Sequence, residues 1–183
     1  MEVRGIMLRG IDDFVSSKHE GKYKQWVSKL PQQTSELLGN VSNSSWYNIE
    51  DALLKPLEAL CNLAYSDPLR GSWEVGRYSA ETGLTGIYKV FVMVSTPSFI
   101  LKRAPRILTT FYNPSQLEIK ESSNNGILVR CTQLPVNSEL IEHRIAGWIE
   151  RAGEICGCVN MKVEILSSMA KGDQVFDLKA SWD

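Results

Sequence analysis

Few residues in this chain are of a type and spacing that could do chemistry. There are two histidines, His19 and His143. His19 sits at a charged helix end and reads as a solvated C-terminal histidine; His143 lies beside Arg144 in a long helical segment. Stepping about 100° per residue from Ile141 and Ile145 carries His143 away from the core stripe, so an exposed side chain is expected, with a ligand or proton-switch role as the alternative. The four cysteines are Cys61, Cys131, Cys156 and Cys158. They form no CxxC pair, and reduced, partly buried thiols are expected. A metal or redox role for Cys156-Gly157-Cys158 is the competing reading. The acid pairs Asp12–Asp13 and Glu50–Asp51 suit a solvated face and a helix start respectively. No GxxxxGK[ST] phosphate loop, dinucleotide fingerprint or GxSxG elbow occurs. No catalytic residue and no metal ligand is therefore assigned.

A second group is physical rather than catalytic. Trp73, Tyr78, Tyr88, Phe91, Phe99, Phe111 and Tyr112 crowd the middle of the sequence. Core packing explains such a cluster; so does an apolar pocket with a few polar groups at its edge. In the pocket reading the lining is Trp73, Tyr78, Tyr88, Phe91, Phe99 and Arg103. Arg77, Arg103 and Arg106 would then meet an acidic group on a ligand, or else carry surface charge.

These residues need elements to position them. Val3, Ile6, Met7, Ile11, Phe14 and Val15 predict a helix over 3–18, with Leu8 at the edge of its apolar face. Tyr23, Trp26, Val27 and Leu30 mark a short helix stopped by Pro31, and Thr34 to Leu38 a further turn. Asn48 predicts an N-cap for a helix carrying Leu53, Leu57, Leu60 and Cys61, kinked or restarted at Pro56. Gly71 to Ser79 reads as a connector, and residues 87–94 as a buried helix, a strand being the alternative. From Thr109 the apolar period falls to two. Asn124-Asn125-Gly126 predicts a hairpin turn. Ser138 to Cys156 predicts a helix ended by Gly157, and two further alternating runs flank Lys171-Gly172-Asp173. The expected fold class is α+β: one domain over 1–183, with a mainly helical part (1–108) packed on a four-stranded antiparallel β-β-α-β-β part (109–183).

Bulk properties narrow the function. The chain has 183 residues, 43% hydrophobic and 22% charged, which suits one domain. Twenty basic and 21 acidic residues give a net charge of −1, so no nucleic-acid partner is expected. MEVRGIMLRGIDDF lacks a signal-peptide core, and no apolar run is long enough for a bilayer. A cytoplasmic protein without a membrane span is the expectation.

The segments together resemble a known superfamily. VRGIMLRGIDDFVSSKHEGKYKQWV and WEVGRYSAETGLTGIYKVFVMV are similar to the opening and midsection of haem-based nitric oxide/oxygen-binding (H-NOX) domains. GWIERAGEICGCVNMKVEILSSMAKGDQVFDLKASW resembles the tail that those domains share with 4-vinyl reductase domains, and TRAPP vesicle-tethering subunits belong to the same superfamily. GRYSAETGLTG followed by PSFILKRAPR and a terminal tryptophan is most similar to a paralogous family expanded in myxobacteria. The resemblance implies ligand sensing or signalling, with a small apolar ligand as partner. TRAPP-like interaction or homodimerisation is the alternative, and the 4-vinyl reductase kinship raises an enzyme only as the last choice. The departures are specific. H-NOX domains hold haem through a histidine after the midsection, where VSTPSFILKRAP has none. Their Tyr-x-Ser-x-Arg propionate clamp is missing from TFYNPSQLEI and ILVRCTQLP. SSMAKGDQVF also lacks the cysteines that 4-vinyl reductase domains carry near this turn. No cofactor is expected, haem of the family type included.

Overall fold

The computed structural model describes residues 1–85 and 103–183; the segment read as a buried helix over 87–94 lies outside them. The chain opens not in a helix but in strand β1 (Glu2–Arg4). Helix α1 (Ile6–Lys18) begins only after Gly5. Val3 is fully buried at the centre of a three-stranded sheet, opposite Tyr47 and Tyr112. This long-range pairing overrides the helical spacing that included Val3. A Cβ at Gly5 would collide with Ser42 O, so the break needs glycine there. The buried face of α1 is also rotated from the expected one: Leu8 is buried and Ile6 is exposed.

Helices α2 (Tyr23–Ser28) and α3 (Gln32–Leu38) pack behind α1. Trp26 is fully buried, and its indole donates to Pro56 O at 3.0 Å. Strand β2 (Trp46–Asn48) follows, and Asn48 Oδ1 accepts from Glu50 N at 2.8 Å, the expected cap. Residues Glu50–Leu54 form a π-helical turn ahead of α4 (Lys55–Ala64). Pro56 sits in the first turn of α4, where its missing N–H costs least.

The largest correction falls on Gly71 to Ser79. It is no connector but the body of α5 (Pro68–Thr85), an 18-residue helix. Asp67 Oδ1 caps it by accepting from Leu69 N at 2.9 Å. Its glycines are not breakers. A Cβ at Gly76 would overlap Arg144 O, and a Cβ at Gly147 would overlap Trp73 O. The two backbones therefore touch where α5 crosses the long C-terminal helix.

Helix α6 (Ala104–Phe111) is followed by β3 (Tyr112–Asn113), so extended backbone begins at Tyr112. The three-stranded sheet has the order β2-β1-β3. The larger sheet contains β4 (Gln116–Ser122), β5 (Gly126–Gln133), β6 (Lys162–Ser167) and β7 (Phe176–Ser181) in the antiparallel order β4-β5-β7-β6. Helix α7 (Glu139–Ile155) lies between β5 and β6 in sequence. This is the expected α+β class with a β-β-α-β-β second half. Ile127, Val129, Cys131, Phe176, Leu178 and Ala180 face inward and are buried. On the other face Arg130 binds Asp177 with two bonds of 2.9 and 2.7 Å. Gly157, at φ +94°, ends α7 with a double turn: Cys158 N donates to Gly153 O and Gly157 N to Glu154 O, both at 3.0 Å. Among the described residues no helix is long and apolar enough to cross a membrane.

The close crossing predicts opposite outcomes for two glycines of one helix. Gly76→Ala has no room and should lose about 1–3 kcal/mol or more of stability. Gly83→Ala meets nothing within 4 Å and should gain about 0.5–1 kcal/mol from helix propensity. Urea midpoints decide; equal midpoints for the two variants would remove the crossing as the constraint.

Candidate functional site

Helix α5 sends its aromatic residues in different directions. Trp73 faces α7, where its indole donates to Glu150 Oε2 at 2.9 Å. His143 meets the Trp73 ring edge-on at 6.2 Å, and its Nδ1 lies 2.8 Å from Glu139 O. His143 is therefore half-buried rather than exposed, because α5 covers the face of α7 that points away from the sheet. Tyr78 faces α1, edge-on to Phe14 at 5.2 Å. Arg77 spends its charge inside the protein, pairing with Glu150 and, at 2.9 Å, Glu154. Its expected meeting with an acidic ligand group gives way to these two acids. Burial pushes the Glu154 carboxyl up, but hydrogen bonds from Arg77 and Arg151 outweigh it and hold the group low. Arg103 and Arg106 are exposed at the start of α6. Tyr88, Phe91 and Phe99 lie outside the described residues.

A cleft of about 560 Å³ opens between α1, α5 and α7, lined among others by Phe14, His19, Tyr65, Tyr78, Arg77 and Arg151. His19 is half-buried here, not simply solvated: its Nε2 lies 3.1 Å from Tyr65 Oη, and its ring packs on Phe14 at 5.5 Å. Burial, then the Lys22 charge, lowers its pKa below the usual histidine value. Burial also pushes Tyr65 up to about 12.

All four cysteines are buried and free. Burial pushes Cys61 up to about 12 and Cys131, Cys156 and Cys158 up to about 11. They are thiols at neutral pH, the opposite of what a nucleophile or redox centre needs. Cys156 and Cys158 belong to the turn that ends α7. Among the described residues no group of three or more His, Cys, Asp or Glu could hold a metal ion.

Two buried charges on α7 escaped the sequence reading. Glu142, fully buried, accepts from Ser168 Oγ at 2.6 Å and from Ala170 N at 3.1 Å, and so fixes the turn after β6. Arg144, 4% exposed, donates to Tyr112 Oη and Ser79 Oγ, each at 3.0 Å. A signal existed, since Arg144 stands three residues after Ile141, on the flank of the core stripe. It was hidden because the glycines of α5 concealed the second helix that buries this flank.

No family model matches the chain, and no curated protein matches it. Solved structures do. An H-NOX protein from S. oneidensis in the Fe(II)NO ligation state superposes with a TM-score of 0.73 at 11% identity, covering 98% of this chain and 99% of that one. Fe(II) unliganded H-NOX protein from K. algicida gives a TM-score of 0.73 at 11% identity, with coverage of 98% and 96%. At such identity the likeness is one of fold. The scaffold is H-NOX-like over the whole chain, as the sequence resemblance implied.

Two outcomes follow from the thiols and from His19. A thiol reagent such as dithionitrobenzoate should find no fast cysteine in the native protein and all four in urea; prompt reaction of Cys156 or Cys158 would reopen the redox reading. His19 has a lower pKa folded than unfolded, where it titrates near about 6.5. Below that value the unfolded chain binds more protons, so stability is full above it and is lost as pH falls through the folded pKa. In His19→Gln the urea midpoint should fall less between neutral and mildly acidic pH than in the parent; parallel profiles would contradict this.

Proposed function

We propose that this chain is a non-catalytic, cytoplasmic sensor or regulatory domain that uses the H-NOX-like scaffold to bind a small apolar ligand without histidine-ligated haem. The observation that carries the reading is a whole-chain likeness to H-NOX proteins combined with a donor set that does not suit their iron. The two histidines are at 19 and 143, with none in the stretch where the family's ligand stands. His19 is held against Tyr65, and His143 against Trp73 and Glu139 O. Haem of the family type does not fit these residues.

In this reading the ligand lies between the helical half and the sheet half. Tyr78, which faces α1, Trp73, which faces α7, and Arg103 are the described members of the expected lining; Tyr88, Phe91 and Phe99 lie outside the described residues. A TRAPP-like interaction or dimerisation module is the second reading. It calls for exposed apolar residues on the N-terminal helices, and among the described residues only Ile6 on those helices is a large exposed one. That observation ranks it below the sensor.

Native against denaturing mass spectrometry tests the proposal. Extra mass that disappears on denaturation is the expected result; a bare mass at twice the chain weight would transfer the function to the interaction module. Titration with hemin under reducing conditions should give no stoichiometric Soret complex, and a one-to-one ferrous complex would overturn the haem-free reading.

A further inference from the structure

The described interior contains one positive charge with no negative partner. Arg144 is 4% exposed, and a guanidinium keeps its charge in proteins. Burying an unpaired charge is costly by several kcal/mol. Its two hydrogen-bond partners are neutral hydroxyls, Tyr112 Oη and Ser79 Oγ. Ser79 passes its own hydrogen to Val75 O at 2.9 Å, so it serves Arg144 as an acceptor. Arg144 Nε is buried without an acceptor. The Tyr112 hydroxyl, already accepting from Arg144, has no acceptor for its hydrogen among the described residues. The Nε–H of Arg144 and the hydroxyl hydrogen of Tyr112 are thus among the unspent donors beside one uncompensated cation.

Among the described residues no carboxylate pairs with Arg144. Glu142, two residues away, is committed to Ser168 and Ala170. The residues 86–102 contain no Asp or Glu at all, so none of their side chains can be the counter-ion. Gly10 of α1 adjoins the cluster: among the described residues only Ser79 Oγ, at 3.7 Å, comes within 4 Å of where its Cβ would stand.

We propose that Arg144, with Tyr112 and Ser79, is the anion-binding end of the ligand site, and that the ligand is an apolar monocarboxylate. The charge count points to one negative charge, because among the described residues Arg144 is the only cation hydrogen-bonded within the cluster. A phosphate, with nearly two charges, would leave one of its own uncompensated. The Nε–H of a guanidinium and a neighbouring terminal N–H form a fork that matches the two oxygens of a carboxylate, and in Arg144 the Nε–H has no acceptor. The body of the ligand is apolar because Tyr112 and Val75 belong to the hydrophobic core. This inference rests on the sensor reading and names the chemistry of its ligand.

Octanoate and octanamide are the paired probes, with butanoate, dodecanoate and inorganic phosphate beside them, read by calorimetric titration and thermal melting. Octanoate should bind one-to-one and, at roughly ten times its Kd, raise Tm by about 3–6 °C. Octanamide, of the same shape without the charge, should not. Arg144→Met should fold, with a ligand-free Tm no lower than the parent's, and weaken octanoate by about thirtyfold or more. Equal binding of acid and amide, undiminished octanoate binding to the variant, binding of phosphate alone, or no binding at any chain length would each overturn the proposal. If Arg144→Met does not fold, the acid–amide comparison on the unaltered protein decides alone. A neutral molecule found by mass spectrometry, with no carboxylate binding, would sink this inference and leave the sensor reading standing. A bare mass and no binding would sink both.

Discussion

The structure depends on one close approach, the crossing of α5 and α7 backbone against backbone at Gly76 and Gly147. Each glycine faces a carbonyl of the other helix, of Arg144 and Trp73 respectively. With no side chains between them, the helices must place everything else at the rims of the contact. One rim carries charge: Arg77 with Glu150 and Glu154, and Arg151 with Glu154 and Glu81. The other carries small and apolar residues, Ala80, Leu84, Ala152 and Cys156, in a cluster of their own. The ion pairs are partly exposed, and each such pair contributes at most about 1 kcal/mol. Fully burying one Leu or Ile contributes about 1.5–3 kcal/mol. The apolar contacts therefore hold the helices together, and the charges fix how they are aligned.

That crossing turns α7 into a helix with two buried faces. Ile141, Ile145 and Ile149 belong to the main core beneath the sheet, while Gly147 and Ala152 meet α5. A helix covered on both sides has little surface left for polar residues, and Glu142 and Arg144 fall inside. Their fates differ. Glu142 lies beside the turn after β6, whose backbone N–H and serine hydroxyl satisfy its oxygens. Arg144 lies where α5 and β3 meet, and finds two hydroxyls and no acid. Removing one partner of a buried polar pair costs more than never building the pair. An arginine built into such a place without its anion is a standing cost, unless the anion arrives with something else.

The second half of the fold was legible because its signals are local. Asn124-Asn125-Gly126 sets the first hairpin, alternation from Leu117 to Cys131 and from Phe176 to Trp182 sets the inward face, and Gly157 closes α7 with its positive φ. The first half was legible only where its signals are equally local, as at Asn48 and Pro56. Val3 misled because a residue paired with Tyr47 and Tyr112 takes its conformation from strands far away in sequence. Gly71 and Gly76 misled because a glycine that permits a helix contact has the same letter as one that breaks a helix. Without α5 nothing covers the outer face of α7, so the sequence alone puts His143 in solvent and gives Arg144 no buried place. The histidine that is missing between 19 and 143 needed no structure, because an absent residue type is complete information in a sequence.

The same geometry bears on how a domain of this kind could report what it binds. A ligand shifts a conformational equilibrium only by the difference in its affinity for the two states. A contact at the protein surface offers little difference, since water replaces it in either state. A contact to a desolvated guanidinium is strong only while the elements around it stay closed and dry. Arg144 is carried by α7 and tied by hydrogen bonds to α5 and to β3, the strand that pairs with β1 at the start of the chain. A charge compensated there acts at once on the helix beneath the larger sheet, on the helix crossing it, and on the smaller sheet of the helical half. A surface ion pair such as Lys120 with Glu118 joins two residues of one strand, β4, and ties no second element to it.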